Sequence, residues 1–306
     1  MADLLQNLTL RQLRSFVTTI KTGSLTIAAD NLGVTQPAVS LQLQNLQALA
    51  GLALMQRTAE GLRATEAGEA LLALAREISR AMSDCTQTLE AIKGISGGHI
   101  SVGAVSTAKY FAPKVIGAYG RKYPKVELKL TIGNRAQIIA GLQDFSIDVA
   151  IMGRPPQDLD IEKRLIGDHP HFIVCAPDHP LAERKAIALA DLADQAFLSR
   201  ELGSGTRQLM EARIGQTGFV PRIIMEIDSN ETIKQAVMAG FGIALISGHT
   251  ISTEIADGRL KIIDIVDFPI VRQWFVVRRN DKNLLPPALS LVNFLAEETA
   301  QYLPLI

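Results

Sequence analysis

The chain has 306 residues with 31 basic and 31 acidic side chains, so its net charge gives no general attraction to a polyanion, and any nucleic-acid binding must come from a local patch. Its length suits two or three domains, and two cysteines, Cys85 and Cys175, exclude a disulfide framework and indicate reduced thiols. Without an export signal or an apolar run of about 18 residues, we expect a cytoplasmic chain that makes no membrane contact.

Residues 9–47 predict three short helices. Thr9 and Gln12 form a capping-box pair before the first helix, Gly23 ends that helix, and Ser24 can cap the second. Thr35 can cap the third. Two helices joined by a tight turn are typical of a helix-turn-helix, whose second helix lies in the DNA major groove.

The third helix carries no charge between Val34 and Gln47. Its outer face instead offers Gln36, Ser40 and Gln44, which can bond to base edges. The alternative is a small trihelical bundle whose polar face is merely solvated.

Residues 57–65 predict a two-stranded wing with Arg57 and Arg63 at its ends, where they could hold DNA phosphates. Thr65 then caps a long helix over 66–93. Apolar and small residues recur there at heptad spacing, which favours dimerisation through a coiled coil, while packing of the helix on its own chain is the alternative. Residues 95–98 predict a flexible linker.

From His99 onward, strands alternate with helices, which predicts a parallel sheet covered by helices. Two such series follow one another, and the strand at 274–277 with the helix from Pro287 would complete the first sheet. Ligands of such sheets bind beside the carboxyl ends of the strands.

Four loops are predicted at those strand ends. The sharpest contains two glycines flanked by hydroxyls and Arg207, a combination suited to a phosphate or carboxylate at a helix N-terminus. The alternative is ordinary strand-to-helix turn chemistry with an exposed arginine. The loops contain Ser106, Thr107, Asn134, Arg135, Gly203, Ser204, Gly205, Thr206, Arg207, Ser229 and Asn230.

Enzyme motifs are weak in this sequence. It has no Gly-x-Ser-x-Gly elbow, phosphate-binding Gly-Lys loop or His-Glu-x-x-His helix. His169 and His171 lie two residues apart without an evident third ligand, so turn or cleft positions are expected rather than a metal site. We therefore expect a protein that senses a metabolite without transforming it. The alternative is a small-anion-binding protein or enzyme whose N-terminal bundle only mediates assembly.

The whole chain resembles the LysR-type transcriptional regulators, and within them the CbbR group, activators of the Calvin-cycle Rubisco operon. Seven strings carry the resemblance: Leu10-Arg-Gln-Leu-Arg-Ser-Phe16, Val105-Ser-Thr-Ala-Lys-Tyr-Phe-Ala-Pro113, Ile151-Met-Gly-Arg-Pro-Pro156, Asp168-His-Pro-His171, Gly203-Ser-Gly-Thr-Arg207, Ile227-Asp-Ser-Asn-Glu-Thr-Ile-Lys-Gln-Ala-Val-Met-Ala-Gly240 and Val271-Arg-Gln-Trp-Phe275.

The resemblance implies an α/β chain with a winged helix-turn-helix at 1–65, a dimerisation helix at 66–94 and a two-lobed effector domain, similar to periplasmic binding proteins, at 95–306. Lobe I would take in about 99–165 and 270–306, and lobe II about 166–269. Implied partners are an operator, further copies of the chain up to a homotetramer, RNA polymerase, and a phosphorylated sugar or NADPH or adenine nucleotide. In this comparison the DNA contacts would be Thr35, Gln36, Pro37, Ser40, Gln44, Arg57 and Arg63. Another operon and another small anion remain the alternative within the family.

Overall fold

A computed structural model describes residues 7–59, 61–92 and 98–306, and forms two compact units, one ending at Ser83 and the other beginning at Asp84. The predicted linker at 95–98 lies largely outside the described residues. The first unit contains α1 (Leu10–Thr22), α2 (Leu25–Leu32), α3 (Gln36–Ala50), β1 (Met55–Thr58), β2 (Gly61–Ala64) and the beginning of α4 (Glu66–Ile92).

Local capping explains where the first helices begin. Thr9 and Gln12 form the predicted capping box, and the Ser24 side chain accepts a hydrogen bond from the Ile27 backbone N–H. The expected side-chain cap at Thr35 is wrong, because Thr35 occupies the N-cap position without a capping hydrogen bond. Pro37 follows in the first turn and has no N–H to donate, which removes one of the partners that a cap would serve.

The helices of the first unit pack around one apolar core. Phe16, Val39 and Leu46 are fully buried in it, and each such side chain contributes about 1.5–3 kcal/mol by leaving water. The first turns of α4 join this core through Leu71 and Ala75. Own-chain packing thus applies to the beginning of the predicted heptad helix, whereas Met82 and Leu89 further along are exposed.

The second unit alternates strands and helices, as predicted. Its strands are β3 (His99–Val105), β4 (Glu127–Gly133), β5 (Val149–Met152), β6 (Ile161–Cys175), β7 (Ala196–Arg200), β8 (Arg222–Ile227), β9 (Ala244–Ser247), β10 (Lys261–Ile262) and β11 (Ile270–Arg279). Its α-helices are α5 (Ala112–Lys122), α6 (Arg135–Gln143), α7 (Gly205–Gly215), α8 (Asn230–Met238), α9 (Ser252–Ala256) and α10 (Pro286–Glu298).

Strand pairing produces a two-lobed domain. In the first lobe β3 lies between β4 and β5 in parallel, and β11 adds to β5 in the antiparallel direction, as the completing strand. β6 pairs with β11 and then continues to β9 and β10 in the second lobe, where β7 and β8 also pair in parallel. Separate apolar cores lie in the two lobes, one around Trp274 and Tyr119 and the others around Phe197 and Ile246.

β6 is 15 residues long, and the sequence pattern does not show most of it as a strand. Its first eleven residues, Ile161–His171, pair along the length of β11 and have a mixed exposed and buried pattern. Charged residues in this part hide the strand in the sequence, because only pairing with β11 supplies the buried face. None of the helices in the described residues is long and apolar enough to cross a membrane.

Candidate functional site

A cleft lies between the two lobes at the carboxyl ends of the first lobe's parallel strands. Ser106 and Thr107 follow β3, and Asn134 and Arg135 follow β4, as predicted. Gly153, after β5, lines the same cleft. The cleft therefore occupies the position that open α/β sheets use for small ligands.

The second lobe contributes the beginning of α7. Ser204, Gly205 and Thr206 line the cleft, and Ser204 makes no side-chain cap on the helix. The first backbone N–H groups of a helix have no intrahelical acceptor, so an uncapped end facing a cleft suits an anion. Gly203 precedes them with φ +87°, and a Cβ there would lie 3.1 Å from the Ala136 Cβ, so glycine lets the two loops approach.

Arginines dominate the charge of the cleft. Arg135, Arg154 and Arg272 line it, and the described lining residues include no carboxylate. Burial and the charge of Arg154 lower the pKa of Arg135, with Asp158 opposing, and burial with Arg154 and Arg135 lowers the pKa of Arg272. Since Arg154 weakens the charged state of both Arg135 and Arg272, a bound anion would relieve the repulsion.

Arg200 is a fourth arginine of the lining, but its charge is compensated. Glu201 accepts hydrogen bonds from its Nε at 2.7 Å and its Nη2 at 3.0 Å. Nη2 also donates to the Ser106 Oγ at 3.3 Å, and Nη1 donates to the Asn230 Oδ1. Arg200 thus ties Ser106 of the first lobe to Asn230 of the second, and Asn230 itself lies outside the lining residues.

Arg207 does not have the surroundings expected for an effector ligand. Its Nε donates to the Glu211 Oε1 at 2.7 Å, and its Nη1 bonds to Glu226 and to the Arg200 carbonyl oxygen. These two carboxylates raise its pKa, and it is absent from the lining of the cleft. The ion pairs engage the Arg207 guanidinium within the second lobe. Arg135, Arg154 and Arg272 are therefore better candidates than Arg207 for contacting an anion in the cleft.

Asn134 and the histidines complete the polar lining. The Asn134 Oδ1 accepts from the Gln137 backbone N–H at 3.0 Å in a capping box, so only its Nδ2 donor can serve an anion. His169 and His171 line the cleft. Burial lowers the pKa of His171 to about 3 and that of His169 well below its usual value, so both rings are neutral near pH 7. The described residues contain no cluster of three or more potential metal ligands.

The face predicted to read DNA is exposed on α3. Gln36 and Gln44 are exposed and Ser40 is half-buried, while Val39 and Leu43 pack inward. Thr35 and Pro37, at the beginning of the helix, are exposed as well. The geometry leaves this face available for base edges, and its individual DNA contacts stay predictions.

Hydrogen bonds connect the wing and the residue before it to the helices of the first unit. The Leu62 N–H donates to the Gly23 carbonyl oxygen at 2.9 Å, and Gln47 accepts the Leu54 N–H at 2.9 Å. Arg57 lies opposite Leu62 in the register, next to the pair that Arg63 forms with Gln56. Since neighbouring residues of a strand point to opposite faces, the two exposed arginines lie on opposite faces of the ribbon and can reach only different phosphates.

Comparison with known proteins decides the family. Residues 10–69 match the bacterial regulatory helix-turn-helix proteins of the lysR family, and residues 93–300 match the LysR substrate binding domain. The chain belongs to the LysR family. It is therefore a DNA-binding transcriptional regulator with an effector-binding domain.

Individual relatives cover nearly the whole LysR-family chain. The HTH-type transcriptional regulator CbbR of Xanthobacter flavus is 49% identical over 97% of this chain and 90% of its own. The RuBisCO operon transcriptional regulator of Allochromatium vinosum is 37% identical over 96% of this chain and 98% of its own. The regulatory domain of Synechocystis CcmR, solved in complex with 2-PG, superposes with a TM-score of 0.64 at 36% identity, over 66% of this chain and 97% of that domain.

Sequence reasoning missed the residues that give this regulator's cleft its charge. Arg154 and Arg272 stood only inside strings of family resemblance, and Arg200 was unmarked. Arg272 lies within β11 and pairs in register with His169 of β6. Because it follows no glycine or hydroxyl loop, only its pairing across the sheet indicates a role.

Proposed function

We propose that this LysR-family regulator controls a Rubisco operon and senses a small phosphorylated carboxylate, with 2-phosphoglycolate as the first candidate. One observation supports an anionic effector: Arg135, Arg154 and Arg272 converge on a cleft whose described lining residues include no carboxylate. Two anionic groups on one compact ligand would use these cations together with the first N–H groups of α7.

The size of the cleft favours a compact metabolite over a dinucleotide. Its empty space amounts to about 450 Å³ only when the open mouth is counted, so the enclosed part is much smaller. The complex of the Synechocystis regulatory domain with 2-PG supports the same class. We therefore rank a phosphorylated acid above NADPH or an adenine nucleotide.

The named relatives support the choice of operon. The CbbR of Xanthobacter flavus and the RuBisCO operon transcriptional regulator of Allochromatium vinosum align with 97% and 96% of the chain, so the likeness extends over both the helix-turn-helix and the effector domain. In this proposal Gln36, Ser40 and Gln44 read base edges and Arg57 and Arg63 hold phosphates. RNA polymerase is a further proposed partner at the promoter.

A second copy of the chain would cover the exposed side of α4. Met82, Cys85 and Leu89 are exposed there at spacings of three and four residues. A coiled-coil partner would remove them from water and bring two reading helices to two half-sites. Sedimentation of the full chain should give a dimer or tetramer, and Met82→Glu with Leu89→Glu should shift it towards the monomer.

The proposed function is tested by coupling between DNA and effector. Footprinting on DNA upstream of the host's Rubisco genes should show a protected site, and 2-phosphoglycolate should change its affinity or extent. Linkage requires that an effector which prefers one conformation shifts the DNA-binding equilibrium. Glycolate and sulfate at the same concentration are the controls.

Two results would contradict this function. Equal affinity for the Rubisco promoter and for random DNA would remove the proposed operon. A footprint that responds to no phosphorylated acid, but does respond to another small anion, would favour a different effector within the same family.

A further inference from the structure

We infer that His169 contacts the bound effector directly and that its Nδ1–H donates a hydrogen bond to the anion. This inference rests on the proposed anionic effector and adds a residue that the arginines and the loops do not supply. His169 lies on β6, lines the cleft and is 4% exposed.

The His169 ring is held firmly on the side away from Nδ1. Its plane stacks on Trp274 at a centroid distance of 3.8 Å and contacts His171 at 4.1 Å. Its Nε2 lies 2.9 Å from the Ser247 Oγ, and Ser247 is fully buried. The two ring contacts and the Ser247 hydroxyl together hold the ring in this orientation.

The Nδ1 atom is buried and has no hydrogen-bond partner among the described residues. A buried polar atom normally has one, and a buried atom left unpaired in a ligand site indicates that the ligand supplies the partner. The second histidine differs, because the His171 Nδ1 donates to the His169 carbonyl oxygen at 3.0 Å. Of these two histidines, His169 is the one whose Nδ1 has no partner among the described residues.

Gly153 lies against this buried nitrogen. A Cβ at position 153 would lie 2.7 Å from the His169 Nδ1, closer than real side chains approach, and Gly153 lines the same cleft. A methyl group at position 153 would therefore crowd Nδ1, which a glycine does not.

The tautomer follows from the charge of the site. Burial, His171, His249 and Arg272 all lower the pKa of His169, so the ring holds a single proton. If the Ser247 hydroxyl donates to Nε2, that proton lies on Nδ1 and faces the cleft as a donor. The opposite tautomer would present a lone pair to an anion, and three nearby guanidinium groups make the anion the expected occupant.

Calorimetry with 2-phosphoglycolate on the full-length protein tests the donor. His169→Asn keeps an amide near the Nδ1 position, whereas His169→Gln keeps one near Nε2, and both remove the stacked ring equally. We expect Gln to weaken binding about tenfold more than Asn does, as expected for loss of one hydrogen bond to a charged group. Equal affinities of the two variants would overturn the inference.

Gly153→Ala provides an independent test, because it deletes no donor. The added methyl should block Nδ1 and weaken 2-phosphoglycolate about tenfold, comparable to the loss of a hydrogen bond to a charged group. Gly117→Ala is the matched control, since its Cβ would meet only the Arg121 Nη1 at an ordinary 3.7 Å. Unchanged affinity of the Gly153 variant would contradict the inference.

Nitrogen NMR of the histidine-labelled wild-type protein needs no substitution. The Nδ1 of His169 should be protonated in the complex, and its resonance should shift when 2-phosphoglycolate is added. A bound state protonated at Nε2 would overturn the inference even if every variant failed to fold.

Different results would contradict the proposed function and the role of His169. Wild-type protein that binds neither 2-phosphoglycolate nor inorganic phosphate would remove the effector class, and this inference with it. Wild-type binding that all His169 variants retain would remove only the role of His169.

Discussion

The effector cleft and the DNA-reading face of this regulator use charge in opposite ways. The cleft gathers Arg135, Arg154 and Arg272 without a carboxylate among its described lining residues, although its expected ligand is one small molecule. The α3 helix carries no charge between Val34 and Gln47, although its partner is a polyanion.

The physical requirements of the two ligands explain this difference. A small anion must lose most of its water in the cleft, and only closely placed cations and N–H groups compensate that cost. DNA remains largely hydrated, so neutral amides can read base edges while arginines outside the reading helix contact phosphates. A chain with zero net charge can therefore serve both anions by local placement alone.

Acidification should produce the largest difference between the two units, because it should lower the stability of the effector unit and leave that of the first unit unchanged. All five histidines lie from His99 onward, so none is in the first unit. In the folded effector unit His169 and His171 stay neutral, whereas in the unfolded chain they bind protons below about pH 6.5, which favours unfolding. Stability that is complete above that pH is thus lost as the pH falls, at about 1.4 kcal/mol per histidine per pH unit. Between pH 6.5 and 5.0, the effector unit should lose about 4 kcal/mol.

Urea unfolding monitored by Trp274 fluorescence measures this loss of stability, because the chain's one tryptophan is buried in the effector unit. Hydrogen exchange of α1–α3 provides the comparison. A matching loss of stability in the first unit, which contains no histidine, would show that the histidines are not the cause.

Loss of one cleft arginine should have the next largest effect. Arg272→Gln should weaken 2-phosphoglycolate about 100-fold, since a charge-assisted contact contributes about 1.5–3 kcal/mol. Arg278→Gln on the same strand is the control, because Arg278 pairs with Glu162 and is not among the lining residues. If calorimetry finds the same affinity for 2-phosphoglycolate in both variants, the charge of Arg272 makes no specific contribution to effector binding.

The reading face should respond in specificity rather than in general affinity. Gln36→Ala with Ser40→Ala should reduce preference for the operator about 10- to 100-fold, because each well-placed base contact contributes about 1–3 kcal/mol. Competition retardation with operator and random DNA measures that preference, and Gln301→Ala in the effector unit is the control. Uniform weakening on both DNAs would instead assign these side chains to phosphates.

Salt dependence should show how few cations each subunit offers to DNA. Arg57 and Arg63 predict a slope of log affinity against log salt of about −2 per subunit, and Arg57→Gln should reduce its magnitude by about 0.9. A much steeper slope in the wild-type protein would mean that further basic residues contact phosphates.

Arg207→Gln should have the smallest effect on the effector. Its guanidinium is already paired with Glu211 and Glu226, so 2-phosphoglycolate affinity should change less than about threefold, and stability should fall by about 1 kcal/mol or less. A large loss of affinity by calorimetry would restore Arg207 as an effector ligand.

Much of the local structure was predictable. The Thr9 capping box, the Gly23 and Gly33 stops and the buried face of α3 all follow from neighbours within a turn or two. The meeting of the Ser106, Asn134 and Gly205 loops at one cleft was predictable, because carboxyl ends of parallel strands converge. Thr35 makes no side-chain cap, and Pro37, two residues further on, lacks one of the N–H groups that such a cap would serve.

The sequence by itself determined most of the helices, strands and polar loops, though not the first part of β6, because caps, turns and apolar periodicity act over a few residues. Tertiary structure decided which cations remain uncompensated. Glu226, 19 residues away, neutralises Arg207, whereas strand pairing brings Arg272 beside His169 from about 100 residues away. An alternating pattern does not specify its partner strand, so the charge of the cleft emerges only when β6 and β11 are paired.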